Sequence, residues 1–158
     1  MAKGSCWCRK IQYTIDTPPS ESAPLPAMLC HCLTCQRITG SAFTTCISVP
    51  KSSLTLTSGS EHVKTYTGTH HEVEGMGITV HFCGNCGTTL WKAVDADGMR
   101  DVFIVFAGAL DGEGLEVLKG KAAGVDGVEP KGEIWVKERA GWITPIEGAM
   151  QCEAFPTS

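Results

Sequence analysis

Residues 78–91 have the sequence Ile78-Thr-Val-His-Phe-Cys83-Gly-Asn-Cys86-Gly-Thr-Thr-Leu-Trp91, in which a Cys-x-x-Cys pair separates two strand-like segments. β-Branched and aromatic residues favour strands, and glycine favours tight turns. The pattern therefore predicts a β-hairpin with both cysteines at its tip. Two thiolates on one turn can bind a single tetrahedral Zn²⁺ at about 2.3 Å, which predicts a zinc knuckle. A redox pair is the alternative, but it is expected before a helix in a βαβ unit, and a strand follows here.

The most informative feature of the whole sequence is the close spacing of its cysteines. Seven of the nine cysteines fall into three clusters, which are Cys6-Trp-Cys8, Cys30-His-Cys32-Leu-Thr-Cys35 and Cys83-Gly-Asn-Cys86. Such short spacings suit metal binding and strain a disulfide. The seven thiols divide into four and three. Four thiolates close a structural site, whereas three leave one position open for a reactant.

The pair Cys6 and Cys8 is predicted to lie on an extended strand, where both side chains point the same way. It has no partner within its own segment, and Cys83 and Cys86 are the obvious candidates to complete a four-thiolate site. The alternative interpretation is two buried free cysteines.

The second cluster, Cys30, Cys32 and Cys35, can hold an ion alone. His31 is a candidate fourth ligand, but on an extended Cys30–Cys32 segment its side chain points to the opposite face, which favours a satisfied polar residue or a substrate contact. Zn²⁺ with three thiolates keeps a net negative charge, which makes it a poor activator of water and a suitable binder of an exogenous thiol. A bound thiolate near an aldehyde carbon is set up to form a carbon–sulfur bond.

The remaining pattern predicts a mainly β protein of folded antiparallel sheets with short helices, forming one domain over residues 1–158. The predicted strands are 10–15, 43–49, 62–66, 78–82, 88–91, 101–106 and 133–137. The nearly all-apolar segment 101–106 is predicted to be a central strand. A helix is predicted from Cys32 to Thr39, with Gly40 as its stop. Residues 17–27 are expected to form a Pro/Ser-rich loop, and residues 119–132 a glycine-rich loop.

Composition excludes several classes. The formal net charge is −4 and no basic cluster is present, so we expect no nucleic-acid partner. No apolar run approaches the roughly 20 residues of a membrane span, so we expect no membrane insertion. The first residues lack the apolar core of a signal peptide. Reduced cysteines and a cytoplasmic location are therefore expected.

Taken together and in this order, the clusters resemble the glutathione-dependent formaldehyde-activating enzyme family (GFA, also called CENP-V/GFA). The resemblance is carried by Gly4-Ser-Cys6-Trp-Cys8, by Cys30-His-Cys32-Leu-Thr-Cys35-Gln-Arg-Ile-Thr-Gly40-Ser-Ala-Phe43, by Phe82-Cys83-Gly-Asn-Cys86-Gly87-Thr and by Pro130-Lys-Gly-Glu-Ile134-Trp-Val. It covers most of the chain.

The resemblance implies a β-tent-like zinc fold with two Zn²⁺ per chain. A structural zinc would be held by Cys6, Cys8, Cys83 and Cys86, and a catalytic zinc by Cys30, Cys32 and Cys35. The implied activity is the addition of glutathione to formaldehyde, which gives S-hydroxymethylglutathione and is a carbon–sulfur lyase reaction in the reverse sense.

Further residues are candidates within that scheme. His31 is the candidate proton donor, because an imidazole can give or take a proton near neutral pH. Arg37, beside the second cluster, is the best placed of four basic candidates for a glutathione carboxylate, the others being Arg9, Lys92 and Arg100. His70-His71 is either part of a surface loop or a substrate contact.

Two other functions stay open at this point. The same fold could act on another thiol or electrophile, including one of secondary metabolism. It could also be a zinc-stabilised binding module without catalysis, although a basic tail would favour that interpretation and this chain has none.

Overall fold

The computed structural model describes residues 1–16, 27–111 and 128–156. Most of the loop predicted at 17–27 and of the glycine-rich loop predicted at 119–132 lies outside the described residues. The described chain is mainly β, with one α-helix, α1 (Leu33–Thr39), and short 3₁₀ turns. The strands are β1 (Ala2–Ser5), β2 (Gln12–Ile15), β3 (Met28–Cys30), β4 (Thr44–Pro50), β5 (Leu54–Ser58), β6 (Val63–Thr69), β7 (Gly77–Cys83), β8 (Thr89–Asp95), β9 (Val102–Phe106), β10 (Leu110–Asp111), β11 (Gly132–Ile134) and β12 (Met150–Cys152).

The strands form two sheets. The smaller sheet has the order β10-β1-β2-β5, and the larger has the order β12-β11-β3-β4-β9-β8-β7-β6. Pairing is antiparallel except at β11, which runs parallel to both β3 and β12. The prediction of a mainly β fold of antiparallel sheets is therefore confirmed, with one parallel strand that it did not include.

The core between the sheets is centred on Tyr13 of β2. Its ring meets Trp91 of β8 edge-on at 5.3 Å, and its hydroxyl donates to the carbonyl of Ala109 at 3.1 Å. Gly4 on the neighbouring strand makes room for this ring, because a Cβ there would lie 2.1 Å from it. The largest buried aromatic side chain of the smaller sheet thus fastens it to the larger one.

Strand alternation gives the larger sheet a second buried face. On β9, Val105 packs into the core between the sheets, whereas Ile104 and Phe106 pack on the opposite face. On β8, Trp91 packs into that core, and Lys92 points to the side of Ile104. Successive side chains of a strand point to opposite faces, so one sheet separates two sets of buried residues.

The predicted local elements are largely confirmed. The hairpin β7–β8 has Cys83 and Cys86 at its tip, and β9 lies in the middle of the larger sheet. Helix α1 ends at Gly40, whose φ of +63° is the left-handed conformation that glycine adopts at little cost. The prediction of a strand through residue 137 is wrong: β11 stops at Ile134, because Trp135 has a φ of +59° and a 3₁₀ turn follows.

Candidate metal centres and pocket

The first cysteine cluster, as the structure defines it, combines two pairs that are far apart in the sequence. The Sγ atoms of Cys6, Cys8, Cys83 and Cys86 all lie within 4.8 Å of one another. The separation is 3.5 Å from Cys6 to Cys8 and 3.8 Å from Cys8 to Cys83. A tetrahedral zinc with bonds of about 2.3 Å requires sulfur atoms about 3.8 Å apart. The donor set therefore fits a metal ion of this kind.

Cys6 and Cys8 lie on a turn. Strand β1 ends at Ser5, and the amide of Arg9 donates to the carbonyl of Cys6 at 2.9 Å. Arg9 has a φ of +64°, a conformation that is uncommon outside glycine. The prediction of an extended strand for Cys6 and Cys8 is therefore wrong, and the turn brings the two sulfurs together instead.

The second turn of this cluster depends on two glycines for different reasons. Gly87 has a φ of +77°, and its amide donates to the carbonyl of Cys83 at 2.8 Å. Gly84 is not in the left-handed region; instead, a Cβ there would lie 2.7 Å from the side chain of Lys64. Gly87 is thus needed for its left-handed backbone conformation, and Gly84 because a side chain there would clash with Lys64.

Hydrogen bonds stabilise negative charge on these sulfurs. The amide of Ile11 donates to Sγ of Cys6 at 3.3 Å, and Oγ1 of Thr88 lies 3.2 Å from Sγ of Cys86. Burial raises the pKa of the Cys86 thiol, but hydrogen bonds from the side chain and amide of Thr88 offset it and lower the pKa to about 6. Burial dominates at Cys6, whose pKa rises to about 11.

The second cluster is built where β3 meets α1. Cys30 ends β3, Cys32 caps the helix, and Cys35 lies in its first turn. All three are buried, and their Sγ atoms lie within 4.8 Å of one another. The amide of Cys35 donates to Sγ of Cys32 at 3.2 Å. These three thiols also fit a metal ion, with one coordination position left for a further ligand.

Lys92 of β8 places a positive charge next to this cluster. Its side chain is buried, and Nζ donates to Sγ of Cys35 at 3.0 Å. Hydrogen bonds from Cys30 and Cys32, together with the charge of Lys92, hold the pKa of Cys35 well below its usual range. Burial alone would lower the pKa of Lys92, but the neighbouring thiolates, Cys35 first, raise it above its usual range. Both pKa shifts favour the charged forms of the pair, an ammonium beside a thiolate.

From the sequence, Lys92 was a candidate only as a partner for a substrate carboxylate. The available signal was its position: a lysine stands between Leu90-Trp91 and Ala93-Val94 in an otherwise apolar strand. A lysine inside a central strand is almost never fully buried without a partner. The partner, Cys35, could not be identified from sequence distance.

His31 points away from the thiols that flank it. Its ring is fully buried, and Nε2 lies 2.7 Å from Oε2 of Glu133 on β11. It does not line the pocket that Cys30 and Cys32 line.

Glu133 is the centre of a buried polar network. It accepts hydrogen bonds from the Ile146 amide at 2.6 Å, from Gln151 at 2.9 Å and from Arg139 at 3.2 Å. Burial would raise the pKa of this carboxyl, but the bonds from Gln151, His31 and the Ile146 amide, with the charge of Arg139, lower it to about 2. His31 therefore connects the second cluster to a carboxylate that organises the C-terminal segment.

Arg37 is exposed on the outer side of α1. It lines a shallow depression of about 510 Å³ together with Thr34, Tyr66 and His71. This depression is separate from the cavity that Cys30 and Cys32 line. The structure thus brings the three thiols together and leaves Arg37 outside their cavity.

The loop after β6 is fastened to α1 through His71. Its Nδ1 lies 3.0 Å from Oγ1 of Thr34, and its Nε2 lies 2.7 Å from Oε1 of Glu138. Glu72, close to this pair, bonds Lys137 at 2.5 Å. His71, Glu72 and Glu138 could also hold a cation, but their hydrogen bonds already account for the arrangement.

A cavity of about 520 Å³ opens over the second cluster. Cys30, Cys32 and Lys92 contribute to one side of it, and His70 and Trp135 line it as well. The sequence left His70-His71 as either a surface loop or a substrate contact. His70 is only 6% exposed, so its position in the cavity wall is the observation that distinguishes it from a surface loop residue.

The tautomer of His70 follows from its neighbours. Nδ1 accepts hydrogen bonds from the amides of Glu72 and Val73, both at 3.2 Å. Nε2 is buried and has no hydrogen-bond partner among the described residues. Burial and the charges of His71 and Lys92 lower the pKa of His70, which favours a neutral ring with its proton on Nε2. His70 is therefore one of two residues of the cavity wall whose ring N–H is unpartnered among the described residues, the other being Trp135 through its Nε1.

Comparison with known proteins identifies the family. Residues 1–138 match the family model described as glutathione-dependent formaldehyde-activating enzyme, and the chain therefore belongs to this family. A crystal structure of a protein from Rhodobacter sphaeroides is similar in fold, with a TM-score of 0.52 and 19% identity over 75% of this chain and 95% of that chain. Comparison with curated proteins finds no match. Among the described residues, no helix has the length and apolar character needed to cross a membrane.

Proposed function

We propose that this protein is a zinc-dependent carbon–sulfur lyase-type enzyme that forms or cleaves a thiol–aldehyde adduct. The family name supports glutathione and formaldehyde as the reference pair, with S-hydroxymethylglutathione as the adduct. The observation that carries the proposal is the position of Cys30 and Cys32 in the wall of a cavity, with the buried Lys92 beside Cys35.

The two clusters have different proposed roles. Cys6, Cys8, Cys83 and Cys86 would hold a structural zinc, since four thiolates leave no position for a reactant. Cys30, Cys32 and Cys35 would hold a second zinc. When bound there, the ion would supply stabilisation of an exogenous thiol in its thiolate form. Lys92 balances the negative charge that three thiolates leave, which keeps the buried cluster close to neutral.

The reaction needs no oxidant or reductant. The thiol gives up its proton, a sulfur–carbon bond forms at the carbonyl carbon, the carbonyl π bond breaks, and the oxygen takes up a proton. We assign to His70 the hydrogen bond that meets this oxygen, because the residue lines the cavity and its Nε2–H is unpartnered in the described structure. A donor aimed at developing negative charge contributes most in a site with little water.

His31 is a weaker candidate for the donor because its Nε2 is already bonded to Glu133. We propose that it instead orients the segment between Cys30 and Cys32. Arg37 is kept as the candidate contact for a glutathione carboxylate outside the cavity. The nine cysteines are all unpaired, which supports a reducing, cytoplasmic location.

Exchange NMR on an equilibrium mixture of glutathione, formaldehyde and adduct tests the proposal. The zinc-loaded protein should raise the exchange rate above the uncatalysed rate, and Cys32→Ser should abolish the increase while the protein stays folded. An exchange rate equal to the uncatalysed one would instead favour a binding module.

A further inference from the structure

We propose that the group which fills the cavity over the second cluster is apolar, an aromatic ring or a medium-length hydrocarbon chain attached to the carbonyl carbon or to the sulfur of the adduct. This inference rests on the proposed function and names the substrate class of that site. It differs from the reference pair, in which one partner is a single-carbon aldehyde and the other a highly charged tripeptide.

The cavity is much larger than a one-carbon aldehyde requires. The space measures about 520 Å³, whereas one water molecule occupies only about 30 Å³ of liquid volume. Formaldehyde has just two heavy atoms and would leave most of this volume unfilled. Pockets of roughly 300–1,000 Å³ bind organic molecules with many heavy atoms. The cavity therefore has room for a substituent that formaldehyde lacks.

The wall of the cavity is mostly apolar. Strands β8, β9 and β11 contribute Val94, Ile104 and Ile134, and Trp135 and Phe155 add two aromatic rings. Those two rings meet edge-on at 5.4 Å between centroids. Side chains of this kind favour an apolar occupant, because its transfer from water removes apolar surface on both partners.

The charged groups of the wall are already paired. Of the described residues in the wall, Lys92 and Asp97 carry full charges. Lys92 donates to Cys35, and Asp97 is paired with Arg100 at 2.8 Å near the opening. Glutathione has two carboxylates and an ammonium, and the described wall offers none of them an unengaged group of opposite charge. Burying such charges without partners is strongly unfavourable.

Methionine side chains make the cavity adaptable. Met28, Met76 and Met99 all contribute to its wall. Flexible thioether side chains adjust to ligands of different outline. The wall thus selects for apolar character more than for one particular shape, and His70 supplies a polar contact at the reacting end.

The test separates the two possible positions of the apolar group. In the aldehyde arm, exchange NMR compares benzaldehyde with formaldehyde while glutathione is held constant. In the thiol arm, it compares phenylmethanethiol with glutathione while formaldehyde is held constant. We expect one arm to show at least a tenfold preference for the aromatic partner in kcat/KM, which is the scale that filling an apolar pocket provides.

A variant pair ties the preference to the cavity. Ala96 lines the cavity after β8, so Ala96→Phe should narrow it and lower kcat/KM for the aromatic partner about tenfold. Ala93, which lies on β8 and outside the cavity wall, provides the control Ala93→Phe, which should preserve the preference. A preference for formaldehyde and glutathione that Ala96→Phe leaves unchanged would overturn the inference.

Binding of benzyl alcohol, which has neither a thiol nor an aldehyde, decides the inference even if no reaction is detected. Calorimetric titration of the zinc-loaded protein should show saturable binding that Ala96→Phe weakens about tenfold and Ala93→Phe does not. Absence of binding would overturn the apolar assignment. Binding in the absence of any catalysed exchange would support it while refuting the proposed enzyme activity.

Discussion

The ammonium of Lys92 lies 3.0 Å from the sulfur of Cys35, in a part of the protein where both side chains are buried. The pair connects a strand of the larger sheet to the helix that carries the second cysteine cluster. A buried charge needs a compensating partner, and each of these groups provides one for the other. Through this pair, strand β8 of the larger sheet contributes a side chain to the candidate site.

Lys92→Met is expected to weaken metal binding at the second cluster by about tenfold to a hundredfold, because three thiolates then lose their balancing charge. Competition with a chromogenic chelator measures this affinity. Lys131→Met, which removes an exposed lysine paired with Glu129, is the matched control and should have no effect. Unchanged affinity in Lys92→Met would show that the ammonium plays no part in holding the metal.

Two zinc ions per chain are expected, one held much more tightly than the other. The first cluster is closed by four thiolates, whereas the second has three. Metal analysis after mild chelation should leave about one equivalent bound. A freshly purified protein with a single zinc ion held only by Cys30, Cys32 and Cys35 would contradict the assignment.

Loss of the first cluster should prevent the protein from folding stably. Cys8 and Cys83 are separated by 75 residues, so a metal shared by their sulfurs closes a long loop. Structural zinc contributes roughly 10–16 kcal/mol in zinc-finger peptides, and this binding energy is also folding energy. Cys83→Ser should therefore unfold the protein or abolish its soluble expression, as judged by circular dichroism and yield. Cys32→Ser is the comparison and should remain folded with one metal lost; equal melting of both variants would refute the division of roles.

His70→Asn isolates the proposed donor. An asparagine oxygen can accept the two amide hydrogen bonds that Nδ1 accepts now, but the variant lacks the imidazole Nε2–H. The exchange rate should fall by about a hundredfold with little change in melting temperature. His62→Asn, at a half-buried position outside the cavity, is the control. A normal rate in a folded His70→Asn protein would assign the donor role to another group.

Acid stability should depend on Glu133. Its pKa is lowered to about 2 from an unperturbed value of 4.5, so the unfolded chain binds a proton first as the pH falls. The stabilisation is fully present above about pH 4.5 and is lost as the pH falls towards 2. Glu133→Gln should lower the free energy of unfolding near neutral pH by about 3 kcal/mol, because one partner of a buried ion pair is removed. Denaturant unfolding at several pH values measures this; a constant difference between variant and parent down to pH 2 would exclude the carboxylate as its source.

Local patterns predicted much of the fold. Alternation and glycine placement were sufficient for the β7–β8 hairpin, for the helix that ends at Gly40 and for the central position of β9. Trp135 could not be predicted, because its left-handed backbone goes against local preference and occurs alongside packing with His70 and Phe155. The parallel pairing of β11 likewise depends on contacts between segments that are far apart in sequence.

The candidate site was likewise only partly predictable from the sequence. Thiol spacing predicted the cluster of Cys30, Cys32 and Cys35 directly, because one short motif carries all three ligands. For the other cluster, spacing gave two separate pairs, and only the structure shows that Cys6 and Cys8 lie beside Cys83 and Cys86. Lys92 and His70 needed the structure, because each is 35 or more residues from Cys35 or Cys32 and gains its role only through burial beside the cavity. Arg9 in its left-handed turn is a third case, in which the close approach of Cys6 and Cys8 depends on a backbone conformation that composition does not reveal.

The central claim is that the sulfur of a substrate thiol is held at the cluster of Cys30, Cys32 and Cys35. Calorimetric titration of the zinc-loaded protein with glutathione and with S-methylglutathione, which retains every charge but has no thiol, tests it most directly. The account predicts at least about tenfold tighter binding of glutathione, a difference that corresponds to 1.4 kcal/mol or more and that Cys32→Ser removes. Equal affinity for the two compounds would contradict it.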